Sequence, residues 1–233
     1  MKKSLILLMM GMIALQAFGL DQPAGTKSSA PLNATPLWAA ADAKKDKVVI
    51  VSDIHLGVLD KYSENLKNRA VFIEFLKRME NTADVGELVI AGDFLDEWYL
   101  PLTYPAYSDS GAFYRNVVKN NQPVFDELNA LMAAGVKLTY VPGNHDMTLE
   151  GDILAQALPG INQAREARGM GKYVTGVRGE IVIEHGHRYD VYSAPDSVSN
   201  KDITGDAPSI LPPGYFYARI AASWVLQGKP MIK

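Results

Sequence analysis

From Lys47 onward the chain alternates short β-branched runs that end in polar loops with stretches of helical period. "KVVIVSD", "ELVIAGD" and "VKLTYVPGNHD" read as buried strands, each handing a loop to its carboxyl end. Between the first two, "SENLKNRAVFIEFLKRMEN" places Leu66, Ala70, Ile73, Leu76 and Lys77 at amphipathic spacing behind Ser63, a suitable N-cap. "VFDELNALMAA" predicts a second helix closed by Gly135, and "LEGDILAQAL" a short third. "KYVTGVRGEIVIEHGH" predicts a hairpin-like pair of strands, and "YFYARIAASWVLQGKP" an apolar helix that needs a surface to pack on. Repeated strand-then-helix order argues for an α/β layered fold with sites at the carboxyl ends of strands.

The first 46 residues have a different pattern. "MKKSLILLMMGMIALQAFG" is two lysines, an apolar stretch and a small-x-small ending, the form of a signal peptide over residues 1–19. A retained anchor or a buried helix are the alternative readings of that apolar length. Residues 20–46 are rich in Pro, Ala, Ser and Thr without a period and read as a linker, leaving 47–233 as one domain. The expectation is an exported protein, periplasmic or anchored facing the periplasm, with its N-terminal segment bringing it near a membrane.

Composition narrows the chemistry. With 48% hydrophobic and 21% charged residues the chain is an ordinary globular one. Its net charge of -3, without a basic stripe, lacks the footprint of a duplex-nucleic-acid binder. There is no cysteine, so disulfides and thiolate metal sites are excluded and any bound metal takes nitrogen and oxygen ligands.

The candidate chemistry sits in four loops: "SDIHLG", "AGDFLDEW", "PGNHD" and "EHGHRYD". Singly, a strand ending in Asp or Asn is usually a turn, and "EHGHRYD" could be a pH-sensitive surface turn. The chain's four histidines, however, all fall in these loops, beside Asp53, Asp93, Asn144 and Asp146. Asp53 and His55 lie two apart, so an extended segment would point both the same way, toward one ion. Carboxylate, imidazole and amide oxygen suit Mn, Fe or Zn better than Ca. Asp93, central to the set, could bridge two ions that clamp phosphoryl oxygens and generate hydroxide. The bulky "WYLPLTYPAY" beside it is either apolar surface for a nucleoside or acyl group, or core.

"DIH", "GDFLDE", "GNHD" and "HGH", in that order over residues 47–190, resemble the calcineurin-like metallophosphoesterase superfamily. The resemblance implies a β-sandwich flanked by helices (α/β/β/α layers) and a dinuclear centre of two divalent metal ions, with a metal-bound hydroxide as nucleophile. It makes Asp53 and His55 ligands of the first ion, Asp93 the bridge, and Asn144 and His185 ligands of the second. His145 becomes the histidine that neutralises the transition state or protonates the leaving oxygen, Asp146 the acid that orients it, and Asp96 a supporting residue. Arg69, His187 and Arg188 are candidates for holding a phosphorylated small molecule or nucleotide-like substrate, although a solvated Arg188 is as good a reading. "SDIHLG" and "GDFLDEW" also resemble UDP-diacylglucosamine hydrolases, which cleave a pyrophosphate bond. Those act at the cytoplasmic membrane face and tend to carry Arg where His145 stands.

The superfamily's last motif, G-H-x-H, does not occur: no histidine follows His187. The reading is therefore of a domain incomplete at its C-terminus, with "EHGHRYD" as the penultimate motif. A non-catalytic fragment lacking the final ligands is the alternative to an enzyme.

Overall fold

The computed structural model describes residues 5–7, 44–58, 62–104, 110–195 and 211–229. The expected leader and linker lie outside these residues except at 5–7 and 44–46. Five strands form a parallel sheet in sequence order: β1 (Leu5–Leu7), β2 (Lys47–Val51), β3 (Val85–Ala91), β4 (Lys137–Val141) and β5 (Asn162–Gln163). A separate antiparallel pair, β6 (Tyr173–Thr175) and β7 (Ile181–Ile183), forms a second sheet.

The helices are α1 (Arg69–Glu80), α2 (Ser110–Asn120), α3 (Gln122–Ala133), α4 (Gly151–Ala157) and α5 (Pro213–Leu226). Side-chain alternation splits the buried strand residues between two cores. Val49, Val51, Leu88, Ile90, Leu138 and Tyr140 face Phe72, Leu76, Phe113, Phe125, Leu128 and Ile153 of α1 to α4. Val48, Ile50, Val89, Ala91 and Val141 face the other way, onto Tyr173 and Ile183 of the hairpin. A strand buried at every position, as β2 is, has to be covered on both faces. The chain is thus α/β, a parallel sheet flanked by helices on one face and by a two-stranded second sheet on the other. No helix among the described residues is long and apolar enough to cross a membrane.

Two local readings shift and one holds. The helix expected over 63–81 breaks at Asn68 into a 3-10 turn, Glu64–Lys67, and α1. Asn65 is the cause: it is buried, and its amide donates to the Ile54 carbonyl at 2.6 Å, tying that turn to the loop of Asp53 and His55. The buried face of α1 is consequently Phe72, Leu76 and Met79, with Leu66 and Ala70 exposed. Helix α2 went unread in the sequence, where Phe113, Tyr114 and Val117 follow a proline-rich loop; all three are buried. Gly135 does end α3: with φ 82° its N–H reaches the Met132 carbonyl (3.0 Å) while Val136 N–H reaches Leu131 (3.1 Å), the paired bonds of a Schellman stop.

One polar post joins the sheets. Buried Glu87, facing the hairpin from β3, accepts from the Tyr173 hydroxyl (2.5 Å), Thr175 Oγ1 (2.7 Å) and Thr139 Oγ1 (3.3 Å), with Lys137 Nζ at 3.5 Å. A buried carboxylate is tolerable because its lone pairs are taken.

Candidate metal centre

The loops after β2 and β3 remain zipped beyond their strands. Asp53 N–H donates to the Gly92 carbonyl (3.1 Å), His55 to Asp93 (2.9 Å), Leu56 to Phe94 (2.9 Å), and Asp96 back to Leu56 (3.0 Å). This pairing runs through left-handed backbone: Asp53, His55 and Asp93 have φ of 57°, 51° and 52°. Three of the four non-glycine residues described in that region are therefore expected ligands, a concentration of strain typical of functional loops. It also corrects the extended geometry expected for Asp53 and His55. They converge because each is turned into the left-handed region, with His55 Nε2 3.9 Å from Asp53 Oδ1.

Asp93 lies at the centre. Only 3% exposed, it accepts from the His145 backbone N–H at 2.9 Å. Its other oxygen stands 3.3 Å from His185 Nε2 and 3.8 Å from His55 Nε2. Burial pushes its carboxyl up, but His145, His185 and His55 hold it well below the ordinary carboxylate range. The close approach depends on Gly143, where a Cβ would fall 2.1 Å from Asp93 Oδ1.

The hairpin delivers His185 to this carboxylate. Nδ1 of His185 meets the Ala91 carbonyl at 2.8 Å, and Nε2 meets Asn144 Oδ1 at 3.0 Å. Burial opposes its protonation, yet Asp93 raises its pKa to about 9. His187 follows through Gly186 (φ 90°). Buried at 6% exposure with its ring 5.5 Å from that of His185, it is held at about 4, by burial first and by His185 next.

Two sets of side chains could hold an ion, His55–Asp93–His145 and Asp53–Asp93–His185, the ligand atoms of each within 4.8 Å of one another. Asp93 is common to both, which suits the bridging role. Asn144 joins the second set through its contact with His185. The grouping differs from the expected one in placing His145 with His55, and Asp53 with His185. The donors are all nitrogen and oxygen and converge on one buried carboxylate, so the residues present fit divalent transition ions.

The remaining expected residues fall outside the cluster's contacts. Asp146 is fully buried, with its carboxylate on backbone N–H groups. Its oxygens accept from Gly143 N–H (2.8 Å), Phe94 N–H (2.8 Å) and Leu95 N–H (3.3 Å), lacing the third loop to the second. The acid that faces the His145 ring is Asp96, whose Oδ1 is 3.0 Å from His145 Nδ1 and Oδ2 3.1 Å from His55 Nδ1. Burial favours its neutral form, but those histidines hold its carboxyl well below the usual range. Arg69 donates to the Asn120 carbonyl at 3.2 Å. Arg188 pairs with Glu166 (2.6 Å) and Glu184 (2.8 Å). Both guanidinium groups are thus committed to contacts outside the Asp93 cluster. The "WYLPLTYPAY" loop divides, Trp98 and Leu100 being buried and Leu102 exposed. Trp98, which sequence reasoning did not single out, lies flat on the His145 ring, with centroids 4.3 Å apart and planes at 18°. Its signals in sequence were its place at the head of that loop and its adjacency to the "GDFLDE" motif.

Fold and site together define an α/β protein whose candidate metal ligands come from the ends of three parallel strands and of a hairpin. The chain belongs to the calcineurin-like phosphoesterase family, whose family model matches residues 46–210. Members are metal-dependent hydrolases acting on phosphoric esters. No curated protein matched the chain in a sequence comparison.

Proposed function

We propose that this protein hydrolyses a phosphoester or pyrophosphate bond of a phosphorylated small molecule or nucleotide-like substrate, using two divalent ions (Mn, Fe or Zn) held by Asp53, His55, Asp93, Asn144 and His185. The observation that carries the reading is the convergence of His55 and His185 on buried Asp93, their Nε2 atoms 3.8 and 3.3 Å from one of its oxygens, with Asn144 against His185. When bound, such ions supply Lewis acidity and lower the pKa of bound water. The chain's own residues do the rest. Asp96 Oδ1 faces His145 Nδ1 at 3.0 Å, leaving Nε2 for the substrate. A protonated His145 is favoured because Asp96 and Asp93 outweigh the opposing effect of burial. As a water oxygen forms the new P–O bond and the bond to the leaving oxygen breaks, His145 passes its proton to that oxygen and the water's proton is lost to solvent.

The reaction takes place in a protein that we also propose to be exported, on the form of residues 1–19. The test is hydrolysis by the purified protein of an aryl phosphate monoester, a diester and a pyrophosphate, with and without Mn2+. Metal-stimulated release from one of the three is expected; none from any would overturn the reading in favour of a non-catalytic protein.

A further inference from the structure

We propose that Trp98 is a positioning residue for His145: its indole, stacked on the imidazole and backed by Tyr215 of α5, fixes the plane of the ring that faces the leaving oxygen. This rests on His145 acting as the general acid proposed above.

An imidazole turns easily about its outer torsion, where the energy wells are broad. Asp96 Oδ1 stands 3.0 Å from Nδ1 without the alignment of a hydrogen bond, so it attracts the ring but does not set its plane. A flat neighbour removes this freedom, and Trp98 supplies it at 4.3 Å and 18°, while His55 meets the same ring edge-on at 4.6 Å and 81°.

Trp98 is itself held on two sides. Its backbone N–H donates to Asp96 Oδ1 at 2.6 Å, the oxygen that also faces His145 Nδ1, so one carboxylate sets the relative height of both rings. The indole is 3% exposed, and its Nε1 has no hydrogen-bond partner among the described residues. Packing must therefore fix its orientation. Tyr215 provides it, edge-on at 5.9 Å and 88°. Helix α5 is seated against the same loop by Leu102 N–H to Ser223 Oγ (2.8 Å) and Arg219 to the Pro101 carbonyl (3.4 Å). The fit is close enough that a Cβ on Gly214 would stand 3.0 Å from Trp98 Cζ3. The apolar helix that follows all the motif loops in sequence thus packs on the indole that stacks on His145.

The test compares the parent with Trp98→Ala, Trp98→Phe and His145→Ala on 4-nitrophenyl phosphate and glycerol 2-phosphate in Mn2+. An aryl oxide leaves without much help, whereas an alkoxide needs the proton. Trp98→Ala should lower kcat on the alkyl ester about tenfold more than on the aryl ester, with KM little changed. Trp98→Phe should restore most of that difference, and His145→Ala should show the same asymmetry more strongly. Mn2+ affinity of Trp98→Ala measured by calorimetry should stay within about threefold of the parent. Equal losses on the two esters in Trp98→Ala, beside a clear asymmetry in His145→Ala, would overturn the positioning role alone. No asymmetry in His145→Ala would overturn the general-acid reading and this inference with it. If circular dichroism shows Trp98→Ala unfolded, Trp98→Leu, apolar but without a flat ring, replaces it under the same criteria.

Discussion

Asp93→Asn tests the centre most directly, because the substitution preserves shape and removes one charge. The structure supplies the magnitude. At 3.3 Å from His185 Nε2, a unit charge on Asp93 attracts a cation on that ring by about 5 kcal/mol at an effective dielectric of about 20. An ion held between the same groups is at least as close to the carboxylate, so the full effect is no smaller. Allowing for the dipole that the amide retains, a net loss of about 3 kcal/mol per ion corresponds to roughly 100-fold weaker binding. The carbonyl oxygen of the introduced amide can still accept the His145 backbone N–H, so the loops should stay in place. Calorimetric titration with Mn2+ gives the affinity directly, and circular dichroism checks the fold. Hydrolysis should fall below detection at any Mn2+ concentration that saturates the parent. A variant that binds Mn2+ within about threefold of the parent, or that keeps its activity, would show that Asp93 is not the shared ligand.

The other predictions address separate parts of the frame. In the metal-free protein the His185 pKa is raised to about 9, above its unfolded value of about 6.5. Its contribution to stability is therefore fully present below about pH 6.5 and disappears as pH rises through about 9, so the melting temperature should fall over that interval; an unchanged or rising value refutes the pairing with Asp93. Mn2+ binding at about pH 7 should release protons, seen as a buffer-dependent calorimetric enthalpy, because the ion must displace the proton on His185. Asp146→Ala leaves three buried N–H groups without their acceptor and should cost about 3–5 kcal/mol in urea unfolding; a loss of activity at full stability would restore the role expected for it from sequence. Gly143→Ala drives a Cβ into Asp93 and should abolish tight Mn2+ binding in calorimetry, whereas parent-like affinity would show that the third loop can retreat.

Sequence brought the candidate ligands to notice because the chemistry is written in residue identity. Asp53, His55, Asp93 and Asn144 follow three parallel strands whose carboxyl ends lie at one edge, and His185 comes to them from the antiparallel hairpin of the second sheet. The roles of the flanking acids were not legible in the same way. Asp146 and Asp96 are both carboxylates within the motif loops, and only the fold shows that one faces backbone N–H groups while the other faces two imidazoles. Local periodicity failed where a tertiary contact was decisive, as with the Asn65 bond to Ile54 that broke the first helix. Arg69 and Arg188 were read from charge alone, and charge does not say which carbonyl or carboxylate has already claimed it.

The frame explains why a site made of loops can still be rigid. Each of the first three loops is hydrogen-bonded to its neighbour through backbone rather than left to its side chains alone. The first pairs with the second through Asp53, His55, Leu56 and Asp96, and the second with the third through Asp146 and the His145 N–H. The fourth reaches the others differently, from the hairpin, whose position depends on Glu87 and on a small apolar contact layer. The left-handed residues Asp53, His55 and Asp93 lie where this lacing runs, while His185 arrives on the hairpin. Weakening the Glu87 post should therefore disturb the ion set containing His185 before the one containing His55. That order follows from which backbone carries each ligand rather than from the ligands themselves.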